Sequence, residues 1–213
     1  MITSFVTTVT TFTLLTFGQL ANYSGENVLV SREISLENRH PVESVNEVFK
    51  DNILLNMAYL RGTVKSKEDI DWDVVKKPFV YEFKLNPGES FAYHPDVLPE
   101  YSELIYKTGN ARFNAQDGFK NSGYLYGDGV CHLASLMYWA ALDAGLNTEA
   151  PTNHNFMTIP EISGEYGVSI YYHPGRSLAN AKQNLYIGNN QENPVTFRFE
   201  YSEEKLKLSI LEN

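Results

Sequence analysis

Three features of the 213-residue sequence predict an α+β fold, with helices packed on an antiparallel sheet and a cysteine at the N-terminus of a central buried helix. Apolar residues between Val45 and Leu60 recur at three- and four-residue steps. Two segments at the end of the chain, 195–201 and 205–210, alternate apolar and polar residues as strands do. Between these regions Gly127-Asp128-Gly129-Val130-Cys131 leads into the apolar run 136–142, a glycine turn opening a buried helix.

The elements follow in order. Residues 2–20 carry no charge, and seven threonines dilute their Phe, Val and Leu. Three readings compete there: a signal or anchor segment that would tie the chain to a membrane, an N-terminal pair of strands, and a disordered lead. Residues 22–41 read as polar, with a short Val28-Leu29-Val30 patch. Ser44 with Glu47 makes a capping-box pattern, and Val45, Val48, Phe49, Ile53, Met57 and Leu60 mark one buried helical face. Gly62 is placed to end that helix. The charged run 65–77 reads as a solvated face, with Ser66 and Asp69 capping a short helix.

Residues 79–85 alternate as a strand, and Asn86-Pro87-Gly88-Glu89 is a turn signal before a second strand from Ser90. Residues 95–123 read as a long aromatic-studded loop, a plausible lip for a substrate. The cysteine helix is expected to stop near Gly145. Residues 153–159, 166–172 and 185–190 read as strands or strand lead-ins, and 195–210 as a terminal hairpin around Ser202-Glu203-Glu204.

Composition narrows the function. Hydrophobic residues at 43%, with 13% aromatics, are enough to build a core. A net charge of −9 with no run of basic residues argues against nucleic-acid binding, which needs clustered Lys and Arg to neutralise phosphates. The single cysteine rules out an intramolecular disulfide and a multi-cysteine zinc site. Gly127-Asp128-Gly129 lacks the further glycine and the Lys-Ser/Thr of nucleotide-binding loops, and no cofactor is expected.

Cys131 carries the chemistry. A thiol in the first turn of a helix meets unpaired N–H groups and the positive end of the macrodipole, which favour the thiolate. His132 is adjacent, but neighbouring side chains on a helix diverge by about 100°, so it is expected to line the site rather than share the thiol's proton. His154 lies downstream. Cys131, His132 and His154 could also hold zinc, although no paired-ligand spacing supports that. The bland reading of Cys131 is a buried packing residue.

These landmarks resemble the VanW family of bacterial envelope proteins. They are Asp51-Asn52-Ile53-Leu54-Leu55 with Gly62-Thr63-Val64, Pro87-Gly88-Glu89-Ser90-Phe91, Gly127-Asp128-Gly129-Val130-Cys131 running to Ala144-Gly145-Leu146, then His154 and the stretch 185–190. The likeness spans roughly residues 50–210. It departs at Asp128, where the family has glycine, at His132, where it has glutamine, and in a charged insertion near 65–84. It implies a single VanW-like domain over 22–213 after a signal, anchor or extension over 1–21. It also implies an extracytoplasmic setting with peptidoglycan stem peptides as partners.

By that resemblance Cys131 is the nucleophile of an L,D-transpeptidase-like acyltransferase, His154 its base and Glu165 the group that orients the histidine. Gly127, Asp128, Gly129 and His132 form the substrate and oxyanion region. The alternative is a non-catalytic peptidoglycan-binding or structural module of the envelope.

Overall fold

The computed structural model describes residues 27–123 and 125–213. The anchor or signal expected at 2–20 lies outside the described residues. The architecture is α+β: two four-stranded sheets share one hydrophobic core with the helices.

The first sheet is antiparallel throughout. It is built from β1 (Asn27–Ser35), β2 (Phe79–Leu85), β7 (Val195–Ser202) and β8 (Lys205–Glu212), in the order β1-β8-β7-β2. Its centre is aromatic. Phe83 and Phe197 face each other across β2 and β7 with ring centroids 4.8 Å apart, and Phe199 stacks beside them. The β7–β8 hairpin turns on Glu203 and Glu204, both with positive φ (51° and 57°). That is the backbone of a type I′ turn, usually supplied by Asn-Gly. Here the turn is tethered to α1, since Lys50 pairs with Glu204 at 2.6 Å.

The second sheet holds β3 (Ser90–Ala92), β4 (Ile105–Thr108), β5 (Asn147–Glu149) and β6 (Tyr186–Gly188), in the order β4-β3-β6-β5, with β3 and β4 parallel. Two long helices, α1 (Glu43–Leu60) and α3 (Val130–Asp143), pack on each other. Helix α3 also touches β1 and β8 of one sheet and β5 of the other, which places the cysteine helix centrally. Shorter pieces are α2 (Trp72–Val75) and α4 (Ser177–Ala181).

Both long helices end alike. Gly62 and Gly145 adopt φ of +72°, and the N–H groups of residues 62 and 63, and of 145 and 146, return to carbonyls of the last turn.

Four readings of the sequence need correction. The N-cap of α1 is Val42, not Ser44, and no side chain caps the helix. Nor does α1 bury a single face: every residue from Asp51 to Leu60 is buried, because its polar members are consumed internally. Asp51 pairs with Lys76 and Lys120, while Asn52 and Asn56 hydrogen-bond to the loop around Lys120 and to Tyr93. The polar stretch after residue 26 is β1, whose partner β8 lies 170 to 185 residues away. Finally, 153–159 and 166–172 are not ladder strands. They meet only through the isolated bridge Asn153–Val168.

Candidate active site

The glycine turn at 127–129 is shaped by what surrounds it. Gly129 has φ of +102°, and a Cβ there would lie 2.5 Å from the Phe49 carbonyl oxygen of α1. Gly127 has φ of +81°, and a Cβ there would meet the Phe113 carbonyl oxygen at 2.8 Å. Neither position has room for a side chain. Asn52 of α1 donates to the Asp128 carbonyl at 2.9 Å. Tyr93, at the end of β3, donates to the Val130 carbonyl at 2.9 Å. The start of α3 is therefore clamped from α1 and from the end of β3, with Cys131 as its second residue.

This helix start opens on a cleft of about 380 Å3. Cys131, His132 and His154 line it together with Gly127, Asp128 and Gly129. Its rim carries exposed apolar side chains, among them Tyr126, Phe156 and Tyr171. A second cavity of about 330 Å3 shares His154 and Met157 with the first.

The sulfur is held by the opposite wall. Cys131 Sγ accepts the Ile170 N–H at 3.4 Å and faces the Ile170 carbonyl at 3.6 Å. Cys131 is half-buried: part of it opens on the cleft while protein crowds the sulfur. That crowding pushes the thiol up to about 11. The Ile170 N–H and the residue's own N–H act against it, and the Asp128 charge adds to it. The expectation of an easily ionised thiol is thus corrected, because desolvation of the anion outweighs the helix terminus.

His154 is buried, and its Nδ1 lies 3.0 Å from the Met157 carbonyl. A carbonyl only accepts, so the neutral ring carries its proton on Nδ1 and leaves Nε2 basic. Burial lowers the His154 pKa below the ordinary histidine value, with the Met157 contact acting against that shift. His132 is 2% exposed, packed edge-on to Phe49 at 5.1 Å and 6.3 Å from the His154 ring. Burial first, then the charges of Arg39, His154 and His40, lower its pKa well below the usual value.

Glu165 is the clearest departure from expectation. It is exposed on a 3-10 turn at Gly164–Tyr166 and lines neither cavity. The group that orients His154 is the Met157 carbonyl instead. A backbone atom leaves no signature in a sequence, so this partner could not have been found by residue type. Asp128 is bound by the Ser122 hydroxyl within its own loop. His173 reaches the cleft, whereas His94 is buried away from it against the Gln183 carbonyl.

Among the described residues, no hydrogen bond joins Cys131 to either histidine, and no group of three His, Cys, Asp or Glu side chains is arranged to hold a metal ion.

The family model of VanW like protein matches residues 79–211, more than half of the chain. The chain belongs to the VanW-like family. The matched segment begins at β2 and includes both sheets' central strands, the glycine turn, Cys131 and His154 of this VanW-like protein. Helix α1, which supplied some of the landmarks in sequence, precedes it. No curated protein and no solved structure matches the chain. The VanW-like family is one of the cell envelope, associated with vancomycin resistance. Among the described residues, no helix is long and apolar enough to cross a membrane.

Proposed function

We propose that this VanW-like protein is a cysteine-dependent acyltransferase that acts outside the cytoplasm on peptidoglycan stem peptides. One observation carries the reading. The chain's only thiol opens on the same cleft as a histidine whose second ring nitrogen is already committed to a backbone carbonyl.

In this reading Cys131 Sγ attacks the carbonyl carbon of the donor peptide, and the thiol proton passes to Nε2 of His154. The Cys131 N–H at the start of α3 donates to the developing oxyanion. Collapse breaks the carbon–nitrogen bond, His154 returns the proton to the departing amine, and a thioester remains. An amine of a second stem peptide, or water, then attacks the thioester. Its proton moves through His154 back to the thiol. A neutral thiol and a neutral histidine suit this sequence, because the proton moves only as the substrate carbonyl is engaged.

The raised thiol favours a second reading, in which the domain binds stem peptides without turnover and Cys131 serves as an acceptor for the wall of the cleft. The two separate on tetrapeptide-containing muropeptides. Turnover predicts a thioester adduct on Cys131 by intact mass, and complete loss of released amine in Cys131→Ala. Product formation by Cys131→Ala would remove the cysteine from the mechanism. An unchanged product-free mixture with the native protein would leave the binding module.

A further inference from the structure

One histidine serves two cavities. His154 lines the cleft of Cys131, about 380 Å3, and with Met157 it also lines the neighbouring cavity of about 330 Å3. Both volumes lie within the range of small-ligand sites, about 300–1,000 Å3. Asn155 faces only the second cavity and Phe156 only the cleft, so the segment 154–157 is the partition between them. The exposed Phe156 ring packs 4.0 Å from the His154 ring along that partition.

The two sides differ in chemistry. The cleft is aromatic, with Phe113, Tyr126, Phe156, Tyr171 and Tyr172 in its walls. Apart from the His154 imidazole, the second cavity has no aromatic ring. Ile159 and Ile162 supply its apolar surface, and Asn155, Thr158 and Ser163 bring polar side chains that make no hydrogen bond among the described residues. Carbonyl oxygens of Gly164 and His154 converge on Gly167, each 3.1 Å from where a Cβ would stand. No Lys or Arg lines this cavity. The same turn that gives it Ser163 and Gly164 carries the exposed Glu165, whose carboxylate has no partner among the described residues, whereas Glu161 is spent on Arg39 at 2.6 Å. Carbonyl and hydroxyl oxygens beside an unpaired carboxylate, with no fixed cation, suit an ammonium group.

We propose that the second cavity is the acceptor subsite, holding the free amine of a second stem peptide while the donor's acyl group remains on Cys131 in the cleft. This rests on the acyltransferase reading. The bound ammonium loses a proton to solvent, and the neutral nitrogen attacks the thioester carbon. The carbon–nitrogen bond forms, the carbon–sulfur bond breaks, and the nitrogen's surplus proton passes through His154 to Sγ. A histidine shared by both cavities serves the thiol in the first half of the cycle and the amine in the second. Glu165, which does not orient His154, guides the amine by its charge.

The test follows product partition on the full chain, with a tetrapeptide-containing muropeptide as donor and a stem tripeptide bearing a free side-chain amine as acceptor. The native protein should divide its acyl-enzyme between cross-linked and hydrolysed product, the cross-linked share rising to saturation with acceptor. Gly164 has room for a side chain, since a Cβ there meets nothing within 4 Å. Gly164→Phe should therefore fill the cavity and lower the ratio of cross-linked to hydrolysed product about tenfold, the weight of roughly 1.4 kcal/mol of acceptor binding. Ser163→Trp fills it from the neighbouring position and repeats the measurement if the first variant does not fold. Glu165→Lys should raise the acceptor concentration at half-saturation about two- to fivefold at low salt, the scale of an exposed ion pair. A ratio unchanged in both filled variants, a half-saturation indifferent to Glu165→Lys, or hydrolysis alone at every acceptor concentration overturns the proposal and leaves the acyl-enzyme standing. If no acyl-enzyme forms on Cys131, the acyltransferase reading falls and this subsite falls with it.

Discussion

The antiparallel sheet β1-β8-β7-β2 and the cleft wall at 168–171 are both extended backbone, yet they are held in different ways. In the sheet, each strand satisfies its neighbour through a regular ladder. In the wall, the N–H groups of Ser169 and Tyr171 go to the Thr152 and Gln183 carbonyls, while those of Val168 and Ile170 go to side chains of α3. Ser135 Oγ takes the Val168 N–H at 2.9 Å and Cys131 Sγ takes the Ile170 N–H. The spacing explains the match. Four residues of helix rise about 6 Å, and two residues of extended chain span about 6.6 Å. A helix can therefore hold a strand-like segment at i and i+4. The difference lies in who supplies the acceptors: in the sheet it is backbone, while in the wall every second acceptor is a side chain of the cysteine helix.

The largest effect should come from breaking the sheet. Phe197 is fully buried and stacked on Phe83. Phe197→Ala should lower stability by about 3–5 kcal/mol in chemical denaturation, and amide exchange should accelerate across both sheets at once. Acceleration confined to β2 and β7 would show that the sheet is not the cooperative frame. A smaller and more local effect is expected from Ser135→Ala. It strands the buried Val168 N–H, at a cost of about 1–3 kcal/mol. Exchange at Val168 and Ile170 should rise well before that of β7 and β8. Uniform exchange across the molecule would mean that the wall and the sheet are one unit.

The same contrast decides what the sequence could convey. Residues 195–212 were readable because the strands pair with each other across a two-residue turn, so alternation and proximity agree. Helix α3 and its glycine entrance were readable because positive φ and close packing leave only glycine at 127 and 129. β1 was hidden, because its partner is remote and its outer residues are polar. The wall misled in the opposite direction. Residues 166–172 alternate as a strand would, since their inner side chains do face the core, but a helix occupies the place of a pairing strand. Cys131 and His154 could be named from residue type and resemblance. Met157, Ile170 and the turn at Asp128 act through backbone atoms, and a carbonyl makes the contact to His154 that the resemblance assigns to Glu165.

The smallest effect in free energy is the most direct probe of the link between the wall and the Cys131 thiol. The Cys131 thiol has a pKa near 9.0 when exposed and about 11 in the folded protein. Below pH 9 it is protonated in both states and leaves stability independent of pH. Between pH 9 and 11 the unfolded chain releases this proton first, so stability must fall as pH rises. Buried tyrosines such as Tyr59 and Tyr186, each pushed up to about 12, add their own decline above pH 10. The thiol's share is therefore the difference between native protein and Cys131→Ala, and it should open near pH 9 with the native protein the steeper of the two. Iodoacetamide reports the same group kinetically. At pH 7 only about one thiol in ten thousand would be ionised at a pKa of 11, so alkylation should still be climbing at pH 9, with its midpoint near 11. Ser135→Ala, by loosening the wall that crowds the sulfur, should shift that profile towards lower pH. A native midpoint below about 8.5 would mean that the start of α3 and the Ile170 N–H together outweigh burial after all.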